Sequence, residues 1–86
     1  MNLFPLKITS PDGDMFSESV QKISVRGTEG ELAILAGHIP FVTYVVPCKA
    51  KITLENGDEK IAQIEGGTLS VSEEKVILLT GKVSWE

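Results

Sequence analysis

Gly27-Thr28-Glu29-Gly30-Glu31-Leu32-Ala33-Ile34-Leu35-Ala36-Gly37-His38-Ile39-Pro40 gathers three glycines, two carboxylates, the only histidine and a proline around one apolar run. Gly27 and Gly30 permit positive φ or a close approach of backbone. Leu32-Ala33-Ile34-Leu35 is long enough for one short strand, and Gly37-His38-Ile39-Pro40 turns the chain out again. The stretch reads as a shaped, partly acidic knob carried on a rigid scaffold. It also divides the chain into two strand-rich arms.

Upstream, Phe4, Leu6 and Ile8 alternate with Pro5, Lys7 and Thr9, the period of a half-buried strand. Ser10-Pro11-Asp12-Gly13-Asp14 supplies turn chemistry, and Met15-Phe16 restart an apolar segment. Apolar parity switches between Val20 and the pair Ile23 and Val25, so Gln21-Lys22 marks a bulge that lets one strand serve two sheets. Downstream, Phe41-Val42-Thr43-Tyr44-Val45-Val46 has almost no polar interruption and reads as a strand covered on both sides, ended by Pro47. Ala50, Ile52 and Leu54 alternate with Lys49, Lys51, Thr53 and Glu55, an amphipathic strand with a solvated lysine face. Asn56-Gly57 then predicts a type I′ hairpin into Lys60-Ile61-Ala62-Gln63-Ile64. Gly66-Gly67 marks a bulge or close backbone packing, and Ser72-Glu73-Glu74-Lys75 reverses the chain into Val76-Ile77-Leu78-Leu79-Thr80, read as an inner strand. No window of ten or more residues carries helical period. The pattern predicts an all-β single domain over residues 1–86, a small sandwich or flattened barrel.

Composition narrows the function classes. Eighty-six residues with 42% hydrophobic and 23% charged side chains describe one globular domain, and its core is modest because so short a chain buries only about 60 to 65% of its unfolded surface. A formal charge of −4, with eight Lys and Arg against twelve acids, argues against a nucleic-acid partner. No apolar run is long enough to span a bilayer, and the start has no charged leader region or cleavage site. An intracellular chain, or one held at a membrane through a partner, is the expectation. The lone Cys48 fits a reducing compartment and reads as a small core or strand residue.

Chemistry is poorly provided for. His38 and Cys48 have no orienting third group in view, and His38 reads better as a turn residue that bonds nearby backbone or meets a partner. Of the acidic pairs Asp12/Asp14, Glu29/Glu31, Asp58/Glu59 and Glu73/Glu74, three lie in predicted hairpin turns, where solvated acid is the default, and only Glu29/Glu31 sits in an unusual setting. Gly27-Thr28-Glu29-Gly30 lacks the Gly-Lys-Ser/Thr of a phosphate loop, and its acid would repel phosphate. One histidine with scattered carboxylates makes no zinc site, and Asp12-Gly13-Asp14 is too brief for a calcium loop. The expectation is a non-catalytic chain with no cofactor, metal or small-molecule substrate.

Several motifs in order resemble the epsilon subunit of rotary F-type ATP synthases. They are Leu6-Lys7-Ile8-Thr9-Ser10-Pro11 with Met15-Phe16, Val20-Gln21-Lys22-Ile23-Ser24-Val25, the stretch from Gly27 to Leu35, Gly37-His38-Ile39-Pro40, and Glu65-Gly66-Gly67-Thr68-Leu69-Ser70-Val71. The resemblance covers essentially the whole chain. It implies a β-sandwich of about ten short strands in two sheets, standing in the central stalk as a rotor part that couples the gamma subunit to the c ring during proton- or sodium-driven ATP synthesis. It implies a c-ring contact at Gly27, Thr28, Glu29, Gly30, Glu31 and Leu32, with Glu31 foremost and His38 near the same base, and a gamma contact at Ser10 and Thr43. Membrane attachment would be peripheral, through the c ring, at the cytoplasmic face of a bacterial cell. The plain alternatives are a solvated strand-entry acid at Glu31, a turn residue at Ser10 and an inner-strand filler at Thr43. Longer members of the family continue past the region of Lys82-Val83-Ser84-Trp85-Glu86 into a two-helix domain. ATP binding and inhibition belong to that domain and are not carried over to these residues. The rival reading is a free-standing β-sandwich binding module or a lipoyl- or biotinyl-type carrier. A carrier would show a modifiable lysine beside Met at a hairpin tip, and neither Asn56-Gly57 nor Ser72-Glu73-Glu74-Lys75 does.

Overall fold

A computed structural model describes residues 2–86. The strands are β1 (Phe4–Ser10), β2 (Gly13–Gly27), β3 (Gly30–Leu35), β4 (Phe41–Val45), β5 (Cys48–Leu54), β6 (Glu59–Ile64), β7 (Gly67–Val71), β8 (Val76–Thr80) and β9 (Val83–Trp85). Nine strands stand where about ten were expected, and among the described residues there is no helix. Pairing runs β1-β8-β7-β4-β2-β5-β6-β9, with β3 added on β2. Because β1 pairs β2 antiparallel and β8 parallel, the ladder closes on itself as a flattened barrel of two layers. The parallel β1–β8 pair joins segments far apart in the chain and leaves no mark on local sequence.

β2 is the strand that belongs to both layers. Its first half, Gly13 to Val20, pairs with β1, and its second half pairs with β3 and β5. The register against β5 slips between Val20 and Lys22, which is where the apolar parity switches in the sequence. The extra residue there turns the strand's apolar face so that Phe16 and Val20, then Ile23 and Val25, all point into one core. Leu6, Ile8, Ile23, Ile52, Ile64, Leu69 and Leu78 are fully buried in it, and each contributes about 1.5–3 kcal/mol of transfer free energy.

Three expectations change. Asn56-Gly57 does not form a type I′ turn, since no residue other than glycine has positive φ among the described ones and within this pair only Gly57 has it, at 93°. Gly57 N–H donates to Leu54 O at 3.0 Å and Leu54 N–H to Asp58 O at 2.7 Å. The loop is thus a turn over Glu55 and Asn56 followed by glycine in the left-handed region, a three-residue hairpin loop. Asn56 instead uses its side chain, accepting from Asp58 N–H at 2.9 Å, which holds it at negative φ. The run Phe41–Val46, expected to be covered on both faces, is covered on one: Val45 is buried, whereas Val42 is 67% and Tyr44 72% exposed. A two-layer domain has no third layer to cover the outer face of β4. Finally, β9 is an unanticipated strand that pairs with β6 and sets Trp85 against Phe16 with Lys60 Nζ 4.5 Å above the indole ring.

Gly66 and Gly67 do pack backbone against backbone. A Cβ on Gly66 would stand 2.5 Å from Val45 O, and one on Gly67 would land on Leu79 O.

Candidate interaction site

The sequence stretch from Gly27 to Leu32 becomes the turn between β2 and β3. Gly27 pairs with Gly30, leaving Thr28 and Glu29 at an exposed tip. Gly27 is there for closeness: an added Cβ would come 3.0 Å from Leu32 Cδ2. Glu31 points outward and meets Arg26 at 3.6 Å, a solvent-exposed pair that contributes little to folding. Its carboxylate is therefore available to a second partner. Thr43 lines the same small depression, of about 160 Å³, with residues 27–32.

His38 is not part of this turn. β3 runs Gly30–Leu35, so roughly 17 Å of extended chain separates the turn from the loop that holds His38. Both ring nitrogens of His38 lie against backbone carbonyls of its own chain, and the Phe4 ring stands beside it. Nor do Ser10 and Thr43 come together. Ser10 sits in the β1–β2 turn, where its hydroxyl accepts from Asp12 N–H at 3.2 Å, and it borders an open depression of about 430 Å³ with Thr9, Thr68 and Leu79.

The register shows what adjoins Ser10. Thr9 lies opposite Leu79, Leu79 opposite Thr68, and Thr68 opposite Tyr44. The next outward row is Lys7, Ile77, Ser70 and Val42. Thr43 has the opposite parity and shares its row with Leu69, Leu78 and Ile8, all buried, so it faces inward at the strand edge. Val42, Tyr44 and half-exposed Leu79 thus form an outward apolar face with Ser10 at its rim. Sequence reasoning missed these residues as a surface. The signal was present in Phe41–Val46: a strand apolar on both sides, in a chain too short for three layers, has one side for something else.

Among the described residues no three His, Cys, Asp or Glu side chains are grouped to hold a metal ion. The depressions beside Ser10 and beside the β2–β3 turn are open rather than enclosed, a shape that suits contact with other macromolecules.

Residues 3–86 match the family model described as ATP synthase, Delta/Epsilon chain, beta-sandwich domain. The ATP synthase epsilon chain of Clostridium novyi (strain NT) is 35% identical over 82 residues, which is 95% of this chain and 63% of that one. The chain thus spans under two thirds of that relative's length. A chain in the cryo-EM structure of the Euglena gracilis mitochondrial ATP synthase, OSCP/F1/c-ring in rotational state 1, superposes with a TM-score of 0.91 at 28% identity, covering 96% of this chain and 53% of that chain. One in the Tetrahymena thermophila mitochondrial ATP synthase central stalk and c-ring structure superposes with a TM-score of 0.72 over 93% of this chain and 64% of that one; at 13% identity it speaks for the fold alone.

Proposed function

The chain belongs to the ATP synthase delta/epsilon β-sandwich family, and from that premise we propose that it is a non-catalytic rotor part of the central stalk. Its work is to join the gamma subunit to the c ring while ion flow drives ATP synthesis, at the cytoplasmic face of a bacterial membrane that it reaches only through the c ring. The observation that carries this reading is the outward apolar face of Val42, Tyr44 and Leu79 on a two-layer domain. A free-standing module or carrier gains nothing from leaving that surface wet, whereas a stalk component covers it. Gamma takes this face, with Ser10 at its edge. The β2–β3 turn, Gly27 to Leu32, meets the polar loops of the c ring through Glu31, and Thr43 supports the turn from below. His38 serves the domain's own loop geometry.

Tagged protein expressed in its native cell should recover gamma, and F1 prepared without it should lose coupling to the membrane sector. Recovery of no gamma, with an intact coupled complex assembled in its absence, would refute the reading. For the turn, Glu31→Lys should lower the ratio of ions pumped to ATP hydrolysed in membrane vesicles by at least about twofold, because it reverses the charge that a partner would read. Glu73→Lys, likewise exposed, in the β7–β8 turn, should leave that ratio unchanged. Equal ratios in the two variants would remove the turn from the interface.

A further inference from the structure

His38 lies in the loop between β3 and β4 and spends both ring nitrogens inside the chain. Nδ1 is 2.7 Å from the carbonyl oxygen of Leu35, at the end of β3, and Nε2 is 2.7 Å from that of Ser72, in the β7–β8 turn. A carbonyl oxygen only accepts, and a neutral imidazole has one N–H and one lone pair. The neutral ring can therefore make one of these bonds, and at the other it sets a lone pair against an oxygen. The imidazolium has two N–H donors and makes both. The Phe4 ring stands perpendicular to it at 5.4 Å, a T-shaped contact.

We propose that His38 is a proton-operated clasp. With both nitrogens protonated it ties the β3–β4 loop to the β7–β8 turn; with one proton lost, one of the two ties opens. The charged groups on the surrounding elements do not decide the matter. The β7–β8 turn brings Glu73, Glu74 and Lys75, β2 brings Lys22 opposite Leu35, and β1 brings Lys7, already paired with Asp14 at 3.4 Å. β4 offers only Tyr44, on its outward face. Among the described residues none of these forms an ion pair with the ring, and two acids stand against two free lysines. The two carbonyls are what the proton serves. The clasp is closed while both ring nitrogens carry protons and opens when one of them is lost. What it releases is the segment that carries Ile39, 80% exposed, and leads into the apolar strand β4. This inference rests on the chain's own geometry and stands whether or not the stalk reading holds.

The test is an NMR titration of the full 15N-labelled chain from about pH 5 to about pH 8. On the acid side the ring 15N signals should report two N–H groups, and the amides of Gly37, Ile39 and Glu73 should shift with the same midpoint as the ring. Hydrogen exchange at Ile39 and Glu74, corrected for its intrinsic pH dependence, should quicken by about tenfold across that midpoint, the loss of one charge-assisted hydrogen bond. In His38→Gln, which keeps an N–H donor and cannot titrate, the same amides should be indifferent to pH. A wild-type ring that holds a single proton throughout overturns the proposal, as does a loop that ignores the titration or responds identically in His38→Gln. The wild-type measurements decide it even if the variant does not fold.

Discussion

Gly67→Ala should lower the stability of the domain by at least about 3 kcal/mol, a loss of roughly 12–24 °C in Tm for a chain of this size. Two costs coincide at this residue. Its φ of 148° is a region that side-chain-bearing residues rarely adopt, and a methyl group there would occupy the position of Leu79 O in the neighbouring strand β8. The carbonyl belongs to backbone held in the β7–β8 ladder, where Gly67 pairs with Thr80, so it cannot step aside without breaking that end of the sheet. Gly57→Ala separates the two costs. Gly57 also has positive φ, but nothing lies within 4 Å of its missing Cβ, and its replacement should cost only about 1–2 kcal/mol. Denaturant unfolding of the two variants measures both. A domain of this length has roughly 4–13 kcal/mol in total, so Gly67→Ala sits near the limit of folding at all. Equal losses in the two variants would show that the β7–β8 approach is looser than the structure has it.

Tyr44→Glu should weaken binding to gamma by at least about thirtyfold while leaving the fold intact. Tyr44 points outward between Thr68 and the open edge of β4, so removing the ring disturbs few neighbours. In a docked complex, however, a carboxylate at that point would be buried among Val42, Leu79 and the partner without a counter-charge, a penalty of about 2 kcal/mol or more. Calorimetric titration of purified gamma gives the affinity, and a melting curve confirms the fold. Ser84→Glu, exposed on β9 at the far edge of the other layer, is the control and should bind as the wild type does. Undiminished binding by Tyr44→Glu would move the gamma contact off this face.

The sequence carries the individual strands well and their neighbours poorly. The alternation of Phe4, Leu6 and Ile8, or of Ala50, Ile52 and Leu54, is fixed by one buried and one wet face, and the structure has both. The slip at Gln21-Lys22 was visible because a bulge must shift hydrophobic parity. The parallel β1–β8 pair and the docking of β9 on β6 were not, since long-range pairing is decided by where the remaining strands leave a free edge. The same division holds for the site. The turn at Gly27 to Leu32 is legible because its glycines and acids are consecutive, whereas Thr43 reaches the same depression from β4, outside any window on that stretch. Val42, Tyr44 and Leu79 come from two strands and meet only through β7, so no local window contains them together. His38 follows β3, and its two backbone partners come from the end of β3 and from the β7–β8 turn, which no local window contains together.

That β2 runs without interruption through both layers has a mechanical consequence. A push or twist delivered at the β2–β3 turn travels along one covalent backbone and is passed sideways to β3 and β5 and, beyond the bulge, to β1. Load directed along a strand strains its cross-links side by side, whereas load directed across it opens them one after another like a zip. The domain is therefore stiffest along the axis of its longest strand, in the manner of a laminate whose grain continues from one ply to the next.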